Sequence, residues 1–457
     1  MRARVTPGAR VGGEVRVPGD KSISHRWLLM AATAKGSSRL EGLPRSLDTS
    51  STATCLAMLA PAARPALEAW ASSPSVAGER HGSTWNRELS TLDLDSLDLQ
   101  GEGRRSLRRS AHELDCGNSG TTMRLIAGLA SSSPFETVLG GDASLASRPM
   151  ERVAKPLRAM GADVTTEDGH PPLTIRGSEL RGIRFEPDVP SAQVKSAVLL
   201  AALAAEGTTT VAERIPTRDH TERLFVALGV PIRSDGADLV LEGPFQHEGF
   251  RGVIPGDPSS AAFLLGAAAL TGGNITVLGV SLNPTRLRFL DVLRRMGLEV
   301  EIDVEGDELG EPVGRMQLGP SVGLRPVQVD GNEMPLVIDE VPLLAALAVH
   351  ADGPSRFEGG AELRVKESDR LSVLADGIRS LGGETAEEGD ILVVGGGGLS
   401  GGSARSAGDH RMTMAFAVTS LAARAPSDID GIESAAVSFL DFFPLLRSLG
   451  AGVEVSG

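Results

Sequence analysis

Eight short segments place charged and hydroxyl side chains at expected helix starts and turns. In PGDKSISHR, residues 18–26, Lys21 and Arg26 follow a strand-like run at 13–17, and Asp20 or Ser22 suits the helix cap. In DCGNSGTTMR, residues 115–124, Asn118, Ser119 and Thr121 offer neutral hydrogen bonds ahead of an apolar helix at 125–129. Gly120 lets a ligand approach the backbone there, and Arg124 follows it. SLASRPM, residues 144–150, sets Arg148 in a turn, and PSAQVKSAVLLAAL, residues 190–203, crowds Ser191, Gln193 and Lys195 into one first turn, where three polar side chains suit phosphate and hydroxyl binding. TRDHTER, residues 217–223, adds Arg218.

Two segments bring carboxylates. IDEVPLL, residues 338–344, carries Asp339 and Glu340, suited to cap a helix or to act as a general base. On a helix over 362–370, ELRVKESDR, Lys366 and Arg370 share a face at i, i+4, with Glu367 alongside. GDHRM, residues 408–412, opens an apolar helix with His410 and Arg411. Taken singly, each segment also reads as a capped helix start with solvated charges. Together, in an acidic chain, cations set repeatedly at helix starts point to small, multiply charged anions.

The elements that must hold these groups repeat. A helical stretch ends at Gly and a strand follows at once, at Gly161, Gly229, Gly297, Gly382 and Gly450. Three of the four gaps between them are 68 residues and one is 85. Glycine suits the left-handed position after a helix, where a Cβ is costly. The spacing predicts roughly six copies of one α/β unit, the first degenerate and ending near 56–59. Residues 61–110, rich in Ser, Arg, Pro and Gly, read as an insertion, partly surface loop, with periodicity at 89–99.

At 457 residues the chain exceeds one core, and 41% hydrophobic residues suffice for two or three. A net charge of −14 argues against nucleic acid or an anionic membrane as the main partner. Two cysteines imply no disulfide framework, and no run suits a signal peptide or a membrane helix, so a cytoplasmic location is expected. No metal-ligand spacing is present, nor a P-loop.

In this order, KSISHR, GNSGTTMR, SAQVKSAVLLA, TRDHTE, PGDPSSAAF, IDEVP, LRVKESDRL and DHRM resemble the 5-enolpyruvylshikimate-3-phosphate (EPSP) synthase family, most of all its class II bacterial members. The resemblance implies an α/β enolpyruvyl transferase fold of six βαβαββ repeats, three per domain. Residues 1–20 would join 252–457 as one domain, with 21–251 as the other and a cleft that closes on substrate. The implied reaction joins phosphoenolpyruvate to the 5-hydroxyl of shikimate 3-phosphate, without metal or organic cofactor, in a monomer. Lys21, Ser22, Arg26, Ser191, Ala192, Gln193, Arg218, Asp339 and Lys366 match positions around shikimate 3-phosphate. Ala192 stands where other members have Ser, so only its backbone would serve. Lys21, Gly120, Arg148, Gln193, Arg370 and Arg411 match positions around phosphoenolpyruvate.

Asp339 resembles the base at the hydroxyl, with Lys21 assisting, and Glu367 the acid–base group at C3. Asn118, Thr121, Arg124, Glu340 and His410 stand as supporting residues. Val437 falls where many relatives have Lys, and Glu362 where some class I members have Asn. Gly120 is the form of that position associated with glyphosate inhibition. Two alternatives are a UDP-N-acetylglucosamine enolpyruvyl transferase and a non-catalytic anion-binding relative. The first carries a reactive Cys on the loop of Arg148, absent from GGDASLASRP. The second would be expected to lose Asp339, Glu367 or Lys21.

Overall fold

The computed structural model describes residues 1–72, 96–321 and 323–457. The five repeat glycines all lie at positive φ, from 75° at Gly229 to 114° at Gly161. Each follows the last turn of a helix and reverses the chain into the next strand, as their spacing predicts.

The described strands form six sheets, five of four strands and one of three. One pairing order recurs. Leu114–Asp115 runs parallel to Glu136–Gly140, which pairs antiparallel with His170–Arg176, which pairs antiparallel with Asp163–Glu167. The same order holds for Arg184–Phe185, Gly207–Ala212, Asp238–Gly243 and Ile232–Asp235. It holds again for Gln328–Val329, Ser355–Phe357, Ile391–Val394 and Thr385–Glu388.

Chain ends cross between units. Gly13–Arg16 runs parallel to Ile275–Ser281, and Arg2–Thr6 lies between Ser427–Asp430 and Gly452–Ser456. Arg251–Val253 closes the sheet of Lys35–Glu41. The buried side chains accordingly form two apolar clusters. One runs from Ala3 to Val17 and from Ala261 to Val453; the other runs from Ile23 to Ile254.

Six helices, three per cluster, are buried nearly all round: Lys21–Thr33, Gly120–Ala130 and Ala192–Ala202, then Pro258–Thr271, Val341–Ala348 and His410–Ser420. Their bodies are Ala-, Leu- and Val-rich, as a helix without a solvent face requires. Small residues let them cross closely: a Cβ on Gly128 would sit 2.2 Å from the Ala197 carbonyl oxygen. Among the described residues no helix is long and apolar enough to cross a membrane.

One expectation, the helix over 362–370, is corrected here, and the 61–110 segment carries regular elements beside loop. Part of the 61–110 segment is regular: Arg64–Ala71 is a helix, with Leu67 and Trp70 buried. Ser96–Glu102 is a strand that alternates exposed and buried residues and pairs along its length with Lys35–Glu41. Much of the proposed insertion, 73–95, lies outside the described residues. The expected helix over 362–370 is not formed. Gly360–Leu363 is one 3-10 turn, and the helix proper is Arg370–Ser380. Asp369 decides the boundary, because its Oδ1 accepts from the Ser372 amide at 3.2 Å and caps the helix there.

Candidate active site

The buried helices bring their first turns to one cleft between the two clusters. Asp20, not Ser22, caps the helix of Lys21, with Oδ1 accepting from the Ile23 amide at 2.9 Å. Ser119 and Ser191 cap the helices of Gly120 and Ala192, and Asp409 caps that of His410 and Arg411. Each start leaves backbone N–H groups and the positive end of a helix dipole beside the cleft. Glu340 precedes Val341–Ala348 without a capping side-chain bond, so capping does not account for the Asp339–Glu340 pair.

On the first wall, Lys21 Nζ pairs with Asp48 Oδ2 at 2.9 Å. Arg124 Nη1 donates to Gln193 Oε1 at 2.5 Å, and Gln193 Nε2 donates to Thr121 Oγ1 at 2.8 Å. Arg148 Nη2 donates to Asn118 Oδ1 at 2.6 Å, and Asn118 Nδ2 donates to Asp142 at 2.8 Å. Gly120 lies between the two guanidiniums: a Cβ there would come within 3.0 Å of Arg124 Nη1 and 3.2 Å of Arg148 Nη1. Burial, with Arg148 and Arg152 nearby, lowers the Arg124 guanidinium to about 10.

Arg26 is held from three sides. It donates to the Ser22 carbonyl, Ser196 Oγ and Thr221 Oγ1, each at 2.7 Å. Burial lowers its pKa to about 10. Lys195, expected to help bind phosphate, is instead 1% exposed and paired with Glu213 at 2.8 Å and Glu222 at 2.6 Å. A buried ammonium needs such partners, and these lie within its own cluster.

The second wall is built around two carboxylates. Asp339 is in direct ion contact with Arg218 from the opposite wall. Arg370 Nη1 lies 3.5 Å from its Oδ1, Arg411 Nη2 lies 3.7 Å from its Oδ2, and Arg411 Nη1 donates to its carbonyl at 2.7 Å. Burial alone would raise the Asp339 pKa. Arg411, Arg218, Lys366 and Arg370 outweigh it and hold the carboxyl well below its usual range. Lys366 is lowered by burial, against the pull of Asp339.

Glu367 Oε2 accepts from Arg370 Nη2 at 2.6 Å. Burial opposes its charge, but the cations Arg370, Arg148 and Lys21 hold it well below the ordinary glutamate value. Arg148 and Lys21 act from the opposite wall. Arg370 is oriented by Asp409, whose Oδ2 accepts from its Nε at 2.8 Å. The His410 ring is buried, with neither nitrogen hydrogen-bonded among the described residues, and burial keeps it neutral. Burial raises the Glu340 carboxyl, and Ser259 Oγ donates to it.

Direct contacts tie the walls beside the two carboxylates. Besides Arg218–Asp339, Arg152 pairs with Glu362 through two bonds, and Ser144 Oγ donates to the Glu367 carbonyl at 3.1 Å. Val437 ends the 3-10 turn Ile432–Val437, which packs against the helix Leu47–Leu59 that carries Asp48. The structure brings Lys21, Arg148, Arg218, Asp339, Lys366, Glu367, Arg370 and Arg411 together and adds Asp48, Asp142, Arg152 and Asp409 to their supports. Asp409 was legible as a cap before His410. The others pair over long sequence separations that no local pattern carries.

Repeated α/β units that aim helix starts and cations from two cores at a pair of carboxylates define an enzyme for small anionic substrates. The family follows from comparison. A model of EPSP synthase (3-phosphoshikimate 1-carboxyvinyltransferase) matches residues 5–75 and 87–446. The chain belongs to this family. It is 45% identical to the 3-phosphoshikimate 1-carboxyvinyltransferase of Halorhodospira halophila, over 99% of this chain and 97% of that one. It is 41% identical to that of Methylococcus capsulatus, over 98% of each. Its fold is similar to the EPSP synthase structure from Acinetobacter baumannii, with TM-score 0.81, 36% identity and complete coverage of both chains.

Proposed function

We propose that this cleft transfers the enolpyruvyl group of phosphoenolpyruvate to the 5-hydroxyl of shikimate 3-phosphate and releases inorganic phosphate. The observation that carries the reading is the meeting of Lys21 and Arg148 from one wall with Asp339, Glu367 and Arg370 from the other. The domain division 1–20 plus 252–457 and 21–251 supplies those walls, and the two apolar clusters support it.

Asp339 removes the hydroxyl proton as the oxygen attacks C2 of phosphoenolpyruvate, and Glu367 delivers a proton to C3. Glu367 then takes a proton back from C3 as the C2–O bond to phosphate breaks, leaving enolpyruvyl product and phosphate; the proton taken by Asp339 passes to solvent and balances the phosphate released. In this structure both carboxyls are held ionised by cations. Substrate phosphates and carboxylates neutralise Arg218, Lys366, Arg370 and Arg411. Both carboxyl pKa values then rise toward those that proton transfer needs. Lys21, fixed by Asp48 at 2.9 Å, donates from its Nζ to the phosphate oxygen of the bond that breaks.

Ser22, Arg26, Ser191, the Ala192 backbone, Gln193, Arg218 and Lys366 hold shikimate 3-phosphate. Gly120, Arg148, Gln193, Arg370 and Arg411 hold phosphoenolpyruvate. The protein works as a monomer in the cytoplasm. Turnover in heavy water tests the scheme: deuterium should enter C3 of the product's enolpyruvyl group. Product free of deuterium there, formed at full rate, would contradict it.

A further inference from the structure

Arg286 lies between the strand Ile275–Ser281 and the helix Arg288–Arg295, with its side chain 2% exposed. Its Nη1 donates to Asp20 Oδ2. Its Nη2 donates to Asp257 Oδ1 at 2.9 Å and to Ser259 Oγ at 2.8 Å. The two aspartates end the same tripeptide, PGD, at residues 18–20 and 255–257. Both cap buried helices, Lys21–Thr33 and Pro258–Thr271.

These tripeptides are where the chain passes between the two apolar clusters. They also pair with each other. The Asp20 amide donates to the Pro255 carbonyl at 2.7 Å, the Asp257 amide donates to the Pro18 carbonyl at 2.9 Å, and Gly19 and Gly256 form an antiparallel bridge. The guanidinium therefore clamps both crossings at once. On one side it reaches Asp20, the residue before Lys21. On the other it reaches Ser259, whose Oγ donates to Glu340, the residue after Asp339. From the same loop, Asn283 Nδ2 donates to Asp219 Oδ1 at 2.7 Å, beside Arg218.

We infer that Arg286 is a positioning residue for the reaction proposed above: by bridging the carboxylates at the two crossings it fixes Lys21 on one wall against Asp339 on the other. A buried ion cluster adds little stability over an apolar one of the same shape; what it adds is orientation. Arginine suits this place because its planar fork can serve two carboxylates and a hydroxyl, whereas an ammonium is a point charge.

The inference rests on that reading of the reaction, so wild-type phosphate release is measured first, and then kcat and KM for both substrates in Arg286→Met, Arg286→Lys and Ser259→Ala. A displacement of about 1 Å at the reacting groups costs on the order of 100-fold in rate. Arg286→Met should therefore lose about 100-fold in kcat, with each KM within about threefold of wild type. Arg286→Lys should recover at most about a tenth of the wild-type rate. Ser259→Ala, which cuts the link to Glu340 and removes one oxygen, should lose about fivefold in kcat with both KM values unchanged. If Arg286→Met does not fold, the other two variants decide. Folded Arg286→Lys and Ser259→Ala, both within about twofold of wild-type kcat, would overturn the role of Arg286 alone. A wild-type chain without phosphate release would overturn the reaction itself, and this role with it.

Discussion

Arg152 and Glu362 meet across the cleft as a two-bond pair, Nη1 to Oε2 at 2.9 Å and Nη2 to Oε1 at 3.0 Å. Their side chains are 34% and 38% exposed, so water screens them and the pair contributes little to folding. Its effect falls on how readily the walls stay together. Glu362→Gln should raise both KM values about two- to threefold at low salt and leave kcat unchanged. The difference should fade near 1 M salt. Steady-state kinetics against ionic strength checks this, and a salt-independent KM change would contradict it.

Gly120→Ala would press a methyl toward the Arg124 and Arg148 guanidiniums at 3.0 and 3.2 Å. Both must give by a few tenths of an ångström. With the wild-type glycine, glyphosate should inhibit turnover. The variant should raise its inhibition constant by about tenfold or more and the phosphoenolpyruvate KM by less. Inhibition curves on the two proteins decide the point. Equal shifts in both constants would place the added methyl elsewhere than against the inhibitor.

Lys195 is buried between Glu213 and Glu222, away from the role its sequence position suggested. Lys195→Met leaves two carboxylates without their cation and should cost about 3–5 kcal/mol of stability. The folded fraction should keep wild-type KM values. A large rise in the shikimate 3-phosphate KM, with unchanged thermal stability, would return Lys195 to the cleft.

Positions that obey a local rule were readable: the five helix-ending glycines, the Asp20 cap and the His410 helix start each depend on neighbours within a few residues. Residues 362–370 misled because i, i+4 charge spacing also occurs in loops, and the Asp369 cap overrode it. The helix and the edge strand within 61–110 were not legible because both are polar on their exposed faces. Asp48 and Arg286 act through partners 27 and 266 residues away, which no window contains. The repeated PGD was in plain view, but its pairing is a property of the fold.

Glu340 gives a pH-dependent prediction. Burial raises its folded pKa above the unfolded value, so its ionisation opposes folding. That cost is absent below the unfolded pKa of about 4.3, grows as pH rises toward the folded pKa, and is complete above it. Glu340→Gln keeps an acceptor for Ser259 and removes the charge. Thermal unfolding should therefore show the variant more stable than wild type near pH 8 and equal to it near pH 4. A gain that is the same at both would assign it to packing.

Phosphate release from purified protein given phosphoenolpyruvate with shikimate 3-phosphate, run beside UDP-N-acetylglucosamine as acceptor and beside Glu367→Gln, tests the central claim most directly. The account predicts release with shikimate 3-phosphate only, falling by about 100-fold or more in the variant, as loss of an acid–base group requires. Release with the nucleotide sugar, or an undiminished rate from folded Glu367→Gln, would contradict it.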